Sequence, residues 1–188
     1  HMNSTLTRPT WRLLLVWLTI GGSCAQTEAE PVAAFSTPSG LAVAGTVEDR
    51  LFVSNSGQDT VQVLRLGKDL SQIEFVYGLA HGFPLRIPAG WGASDLAATS
   101  DGRFVVVLDL VSESLRLIDA DSLLLVRDAT GVVLQLPLGA EGSRPTAMKA
   151  SPVGCEAPCV GRVFITLAGA GAVLAVDVMS TGDAAWLE

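Results

Sequence analysis

The sequence predicts an all-β fold, and three observations carry that expectation. Past Gln26 no segment sustains the apolar period of a helix. The chain there consists of short runs of Val, Leu and Ile separated by clusters of Gly, Asp, Asn and Ser, the pattern of strands between turns. The pattern also repeats: "SGLAVAGTVEDRLFVSNSGQDTVQVLRL" (39–66), "SDLAATSDGRFVVVLDLVSESLRLIDA" (94–120) and "TAMKASPVGCEAPCVGRVFITLAGAGAVLAVDV" (146–178) follow one plan.

Each unit opens with a short apolar strand marked by Leu41, Leu96 or Met148. After a turn, Arg50, Arg103 or Arg162 leads the second strand, "LFVSN", "FVVVLD" or "VFITL". A polar turn in the first unit, "NSGQDT", and a Gly169/Gly171 hairpin in the third lead to the third strand, "TVQVL", "SLRLID" or "AVLAVD". "RIPAG" (86–90) and "QLPLG" (135–139) supply a fourth strand, whose proline suits an edge because it donates nothing to a ladder. "DADSLLLVRD" (119–128) admits a helical turn, but its branched neighbours fit a strand or hairpin better. Four strands per repeat of about 50 residues is the sequence form of a β-propeller blade. One blade buries neither face alone, and stacking between neighbours buries both. "FVVVLDL" and "VFITLAGAGAVLAV" read as almost continuously apolar on that account. The third unit shows no fourth strand after Val178, and "PVAAF" (31–35) is placed to supply one.

The units resemble YVTN-type β-propeller repeats, which are common in secreted bacterial proteins. "RLFVSNSGQDTVQVL" (50–64) matches that motif best, and "TSDGRFVVVLD" (99–109) matches its turn and second strand. The third unit carries "SP", an insertion and then "GRVFIT". NHL-type propellers are the near rival. The resemblance covers roughly residues 35–180 and speaks for fold more than function. It gives repeats over 35–186, with units at about 39–90, 94–139 and 145–180, after a linker at 26–34. Closed propellers use about four to eight blades. Three units therefore read first as a fragment of a longer propeller, second as half of a six-bladed homodimer, and third as an open array.

Residues 1–25 read as a signal peptide behind His1, an expression scar. Arg8 and Arg12 precede an apolar run, Leu13 to Ile20, too short to span a bilayer. "IGGSC" resembles a lipobox with Gly21 where leucine is usual, which makes Cys24 the lipidated residue. The rival cut follows Ala25. The closing Leu187-Glu188 reads as a cloning remnant. All 19 acidic residues lie beyond this leader and two of the 12 basic ones within it, so the remainder is nine charges negative. That balance, with no basic cluster, argues against nucleic acid. The expected location is the cell envelope, periplasmic or outer-membrane, or else the secreted space, with a lipid anchor as the membrane contact.

Cys155 and Cys159 sit in the insertion at the first-to-second-strand turn of the third unit. Zinc sites want four Cys or His ligands. No histidine follows Cys159, and no Cys-x-x-Cys or haem motif is present. The pair therefore reads as a disulfide stapling a protruding loop in an oxidising compartment. No catalytic residue, metal site or cofactor is expected. His81 lacks a partner motif for catalysis and is kept, beside Trp91, only as a candidate ligand-binding residue; no G-x-S-x-G elbow exists. Trp91, between Gly90 and Gly92, is the best single candidate for a ligand platform, with packing between blades as the favoured rival. Asp95 and Asp101 read as polar turn residues. The expected function is an extracytoplasmic binding or scaffold module for an unidentified protein or small molecule. The alternatives are a lactonase-like or quinoprotein-dehydrogenase-like enzyme, or an assembly subunit completing a ring with a partner chain.

Overall fold

Alternating apolar runs and tight turns assemble into antiparallel sheets, as period-2 patterning requires. The computed structural model describes residues 37–67, 72–78, 83–139, 142–182 and 184–188, all within the unit Phe35–Glu188. Cys24, His81, the leader and the 31–35 segment lie outside the described residues. The first sheet holds β1 (Pro38–Ala44), β2 (Arg50–Asn55), β3 (Thr60–Leu66), β4 (Ile73–Phe75) and β5 (Arg86–Pro88). The middle sheet holds β6 (Ala93–Ala98), β7 (Phe104–Asp109), β8 (Ser114–Asp119), β9 (Leu124–Leu125) and β10 (Gln135–Pro137). The third holds β11 (Pro145–Ala150), β12 (Cys159–Leu167), β13 (Ala172–Thr181) and β14 (Ala184–Leu187). No helix is assigned among the described residues.

The proline-bearing segments form strands, as expected, but each shares the fourth position with a second short strand. β3 pairs with β4 at Leu64–Leu66 and with β5 at Thr60–Gln62. β8 likewise pairs with β9 at Ile118–Asp119 and with β10 at Ser114–Arg116. "DADSLLLVRD" is thus the hairpin into β9, not a helical turn. The expected absence of a fourth strand in the third sheet is overturned. β13 runs on to Thr181, and β14 pairs with it from Thr181↔Ala184 to Val178↔Leu187. Leu187, read as a cloning remnant, therefore closes a ladder, and Glu188 exchanges backbone bonds with Asp177.

The sheets stand side by side, with β1 against β6 and β6 against β11. Between the first and middle sheets lies a core of Phe52, Val61 and Val63 against Val105, Val107 and Ile118. Between the middle and third lies a second core of Phe104, Val106 and Leu117 against Val163, Ile165 and Val176. All six residues of β7 are buried, because alternate side chains enter opposite cores. We call the face that each sheet turns toward the next one in chain order its forward face, and the opposite face its rear face. The third sheet corrects the expectation that stacking buries both faces. Its β12 alternates strictly after Gly161, and Phe164 and Val173 on its forward face are 41% and 66% exposed.

Contacts along the inner strands differ between the two interfaces. A Cβ at Gly40 would lie 2.8 Å from the Asp95 Cα and the Ser94 carbonyl, so here backbone meets backbone. The Ser39 and Ser54 hydroxyls both donate to that Ser94 carbonyl. In the second interface the Asp95 side chain intervenes, its Oδ2 accepting the Met148 N–H at 2.8 Å. Asp95 is thus a strand residue bridging two sheets, not the turn residue expected.

Candidate functional site

Alternation of strand direction sends the loops to two ends of the array. At one end lie the hairpins β2–β3, β7–β8 and β12–β13 with the linkers β5–β6 and β10–β11. At the other lie the turns joining each sheet's first strand to its second and its third strand to its fourth.

The linker end carries Trp91. Its neighbours Gly90 and Gly92 hold φ of 101° and 86°, conformations open to glycine. A Cβ at Gly92 would lie 2.8 Å from a Val111 methyl carbon, so a glycine is needed there for space as well. The Gly92 N–H donates to Asp59 Oδ1 at 2.9 Å, and the Val111 N–H donates to the Trp91 carbonyl at 3.3 Å. Asp109 Oδ1 accepts the N–H groups of Val111 and Ser112, both at 3.0 Å, fixing the hairpin from beneath. Trp91 is 73% exposed and Val111 65%, so the expectation that Trp91 packs between sheets is corrected. The two held loops instead present Trp91, Leu110 and Val111 to solvent, an apolar patch of the kind that marks contact sites. Below Gly90, Asp109 Oδ2 and Arg116 Nε are buried without a hydrogen-bond partner.

Two acids at this end repeat one task that sequence reading missed. Asp59 and Glu113 each precede the third strand of their sheet, with φ of 58° and 46°. Asp59 holds Gly92 in the linker to the middle sheet. Glu113 accepts from the Ser143 hydroxyl at 2.9 Å and from the N–H groups of Gly142, Ser143 and Arg144 in the linker to the third. The Ser143 hydroxyl foremost, helped by those amides, holds the Glu113 carboxyl below its ordinary range. Gly171 takes the same position in the third sheet, with φ 59°. The available signal was an acid directly before each third strand in the first two units.

The opposite end carries the cysteines and a set of arginine latches. Cys155 and Cys159 form a disulfide with a Cα–Cα distance of 5.5 Å, in the β11–β12 loop where the sequence placed the insertion. That loop is exposed from Pro152 to Gly154. It is tied down at its base, where the Ser100 hydroxyl donates to the Val160 carbonyl at 2.8 Å. Arg50 reaches from the first sheet to the carbonyls of Ala120 and Asp121 in the β8–β9 turn, at 2.6 and 2.8 Å. Thr46 bonds the Asp121 carboxylate with its amide and its hydroxyl. The hydroxyl bond is the chief reason that this carboxyl sits below its usual range. Arg103 reaches the Gly182 carbonyl in the β13–β14 turn at 2.7 Å. Arg162 folds back on its own sheet, with Nη2 at 2.7 Å from Asp177 Oδ2.

Among the described residues no three His, Cys, Asp or Glu side chains gather to hold a metal ion. A groove of about 610 Å³ runs between the outer strands of the first and middle sheets, bordered by Arg86, Ile87, Leu125 and Arg127.

No family model matches the chain, and no curated protein matches it. Among solved structures it is similar to a functionally unknown protein from Desulfotomaculum acetoxidans, at 13% identity and a TM-score of 0.49 over 77% of this chain and 38% of that one. It is also similar to hydrazine synthase of Kuenenia stuttgartiensis, at 15% identity and a TM-score of 0.44 over 85% of this chain and 45% of that one. The chain thus spans less than half the length of either.

Proposed function

We propose that the chain is a β-propeller segment acting as an extracytoplasmic binding or scaffold module, held to the bacterial envelope by a lipid on Cys24. The observation that carries the binding role is the Trp91–Leu110–Val111 patch, exposed on loops that Asp59 and Asp109 hold in place. Rigid presentation lowers the entropy lost on binding, and aromatic anchors dominate interface energies. Each sheet is one blade, and the Arg50 and Arg103 latches join successive blades. The disulfide suits an oxidising compartment.

Two measurements test the proposal. A clickable palmitate analogue should label the chain expressed in a bacterium, and Cys24→Ser should abolish the label. An unlabelled chain with reduced cysteines in the cytosol defeats the envelope reading. A photo-crosslinking residue at position 91 should yield envelope adducts absent when the same residue replaces Glu156 at the other end. Equal adducts from both positions defeat the patch.

A further inference from the structure

We infer that the forward face of the third sheet is a docking surface for the rear face of the first sheet of a second copy of this chain. The contact needs neither a ligand nor an envelope location. Its basis is position-by-position agreement with an interface that the chain already makes within itself.

Positions are fixed by the hairpin pairs Asn55↔Thr60 in the first sheet, Asp109↔Ser114 in the middle and Leu167↔Ala172 in the third. Counted back from these pairs, Arg162 stands where Arg50 stands, Phe164 where Phe52, and Thr166 where Ser54. Counted forward, Val173 stands where Val61 does. In the first sheet this set is sealed against the middle sheet: Phe52 and Val61 are both 0% exposed. In the third sheet the same residue types face solvent.

The complementary surface is the rear face of the first sheet. The middle sheet meets the first through Leu96, Val105, Val107 and Ile118. The matching rear positions of the first sheet are Leu41, Leu51, Val53 and Leu64, again apolar throughout. With Pro38, Ser39 and Ile73 they line an open depression of about 440 Å³, in which Val53 and Leu64 are buried at 5% and 8% exposure and Leu41 at the rim is 65% exposed. A third-sheet forward face on a first-sheet rear face therefore repeats the chemistry that joins the first sheet to the middle one.

The arginine completes the match. Arg50 donates to the carbonyls of Ala120 and Asp121. The same positions in the first sheet are Leu66 and Gly67. Arg162, released from Asp177, donates to the carbonyls of Leu66 and Gly67 of the second copy. Both faces belong to one chain, so a single contact used twice under two-fold symmetry leaves neither open. Two copies of the three described sheets make six, within the range of about four to eight at which rings of such sheets close.

Sedimentation velocity on the full chain in mild detergent, between about 1 and 100 µM, reads the state directly. The wild type should run as a dimer, and Phe164→Glu and Leu41→Glu should each run as monomers. Mixing these two variants should restore a dimer-sized species, because one sound copy of each face remains. Arg162→Ala, a gentler change, should raise the dissociation constant about tenfold. Circular dichroism confirms that each variant keeps its strands. A monomeric wild type, a dimeric Phe164→Glu variant, or a mixture that stays monomeric would each overturn the inference, as would wild-type polymers larger than the dimer.

Discussion

The forward face of the first sheet is sealed against the middle sheet, whereas the same face of the third stands in solvent. Phe52 and Phe164 occupy one position and differ only in what lies across from them: 0% and 41% exposed. The same holds for Arg50, which bonds a neighbouring turn, and Arg162, which turns back on Asp177. Burial in this architecture is conferred by the adjacent sheet, and a strand's own residues fix only which face can receive one.

The largest expected effect breaks the comparison at its centre. Phe52→Ala should cost about 3–5 kcal/mol in urea denaturation, as for a buried aromatic side chain cut to a methyl group. Phe164→Ala in dilute monomer should cost under about 1 kcal/mol. Equal losses would mean that Phe164 is already covered. Next comes the staple in the β11–β12 loop of the third sheet, which constrains the unfolded chain. Replacing Cys155 and Cys159 by alanine should remove about 2 kcal/mol in the loop-entropy account, lowering the melting temperature by about 4–8 °C. Removing an arginine latch comes third. Arg50→Ala strips two carbonyls of a charged donor and should cost about 1–3 kcal/mol. Arg162→Ala, at an exposed ion pair, should cost about 0–1 kcal/mol.

The smallest effect concerns the acid clasps. Glu113 has a lowered native pKa, so its stabilising contribution is present above the ordinary glutamate value and is lost as the pH falls through the lowered one. Denaturation midpoints of wild type and Glu113→Gln, followed from neutral pH into that window, should converge on acidification. A gap that persists below it would mean that the clasp works through shape and not charge.

Much of the fold was legible because buried strands carry their own pattern. "FVVVLD" announced a strand covered on both sides, and "RIPAG" an edge. β4 and β14 were missed, because strands this short carry too few residues to show alternation. The cysteines were readable from what surrounded them, since no histidine stood near enough to compete. Trp91 was misjudged for a different reason. Aromatic residues beside glycines occur both in cores and on surfaces, and local composition does not tell which; Trp91 is 73% exposed. Asp95 was misread because its bond to Met148 joins residues far apart in the chain, beyond the reach of local pattern.

The inner strands carry one more consequence. At Gly40 the first and middle sheets touch backbone to backbone, while the middle and third are spaced by the Asp95 carboxylate. The first pair therefore approaches more closely at this point than the second does at Asp95. A side chain at Gly40 would drive a wedge into the narrower gap and splay the first sheet away from the middle one, changing the tilt of its rear face.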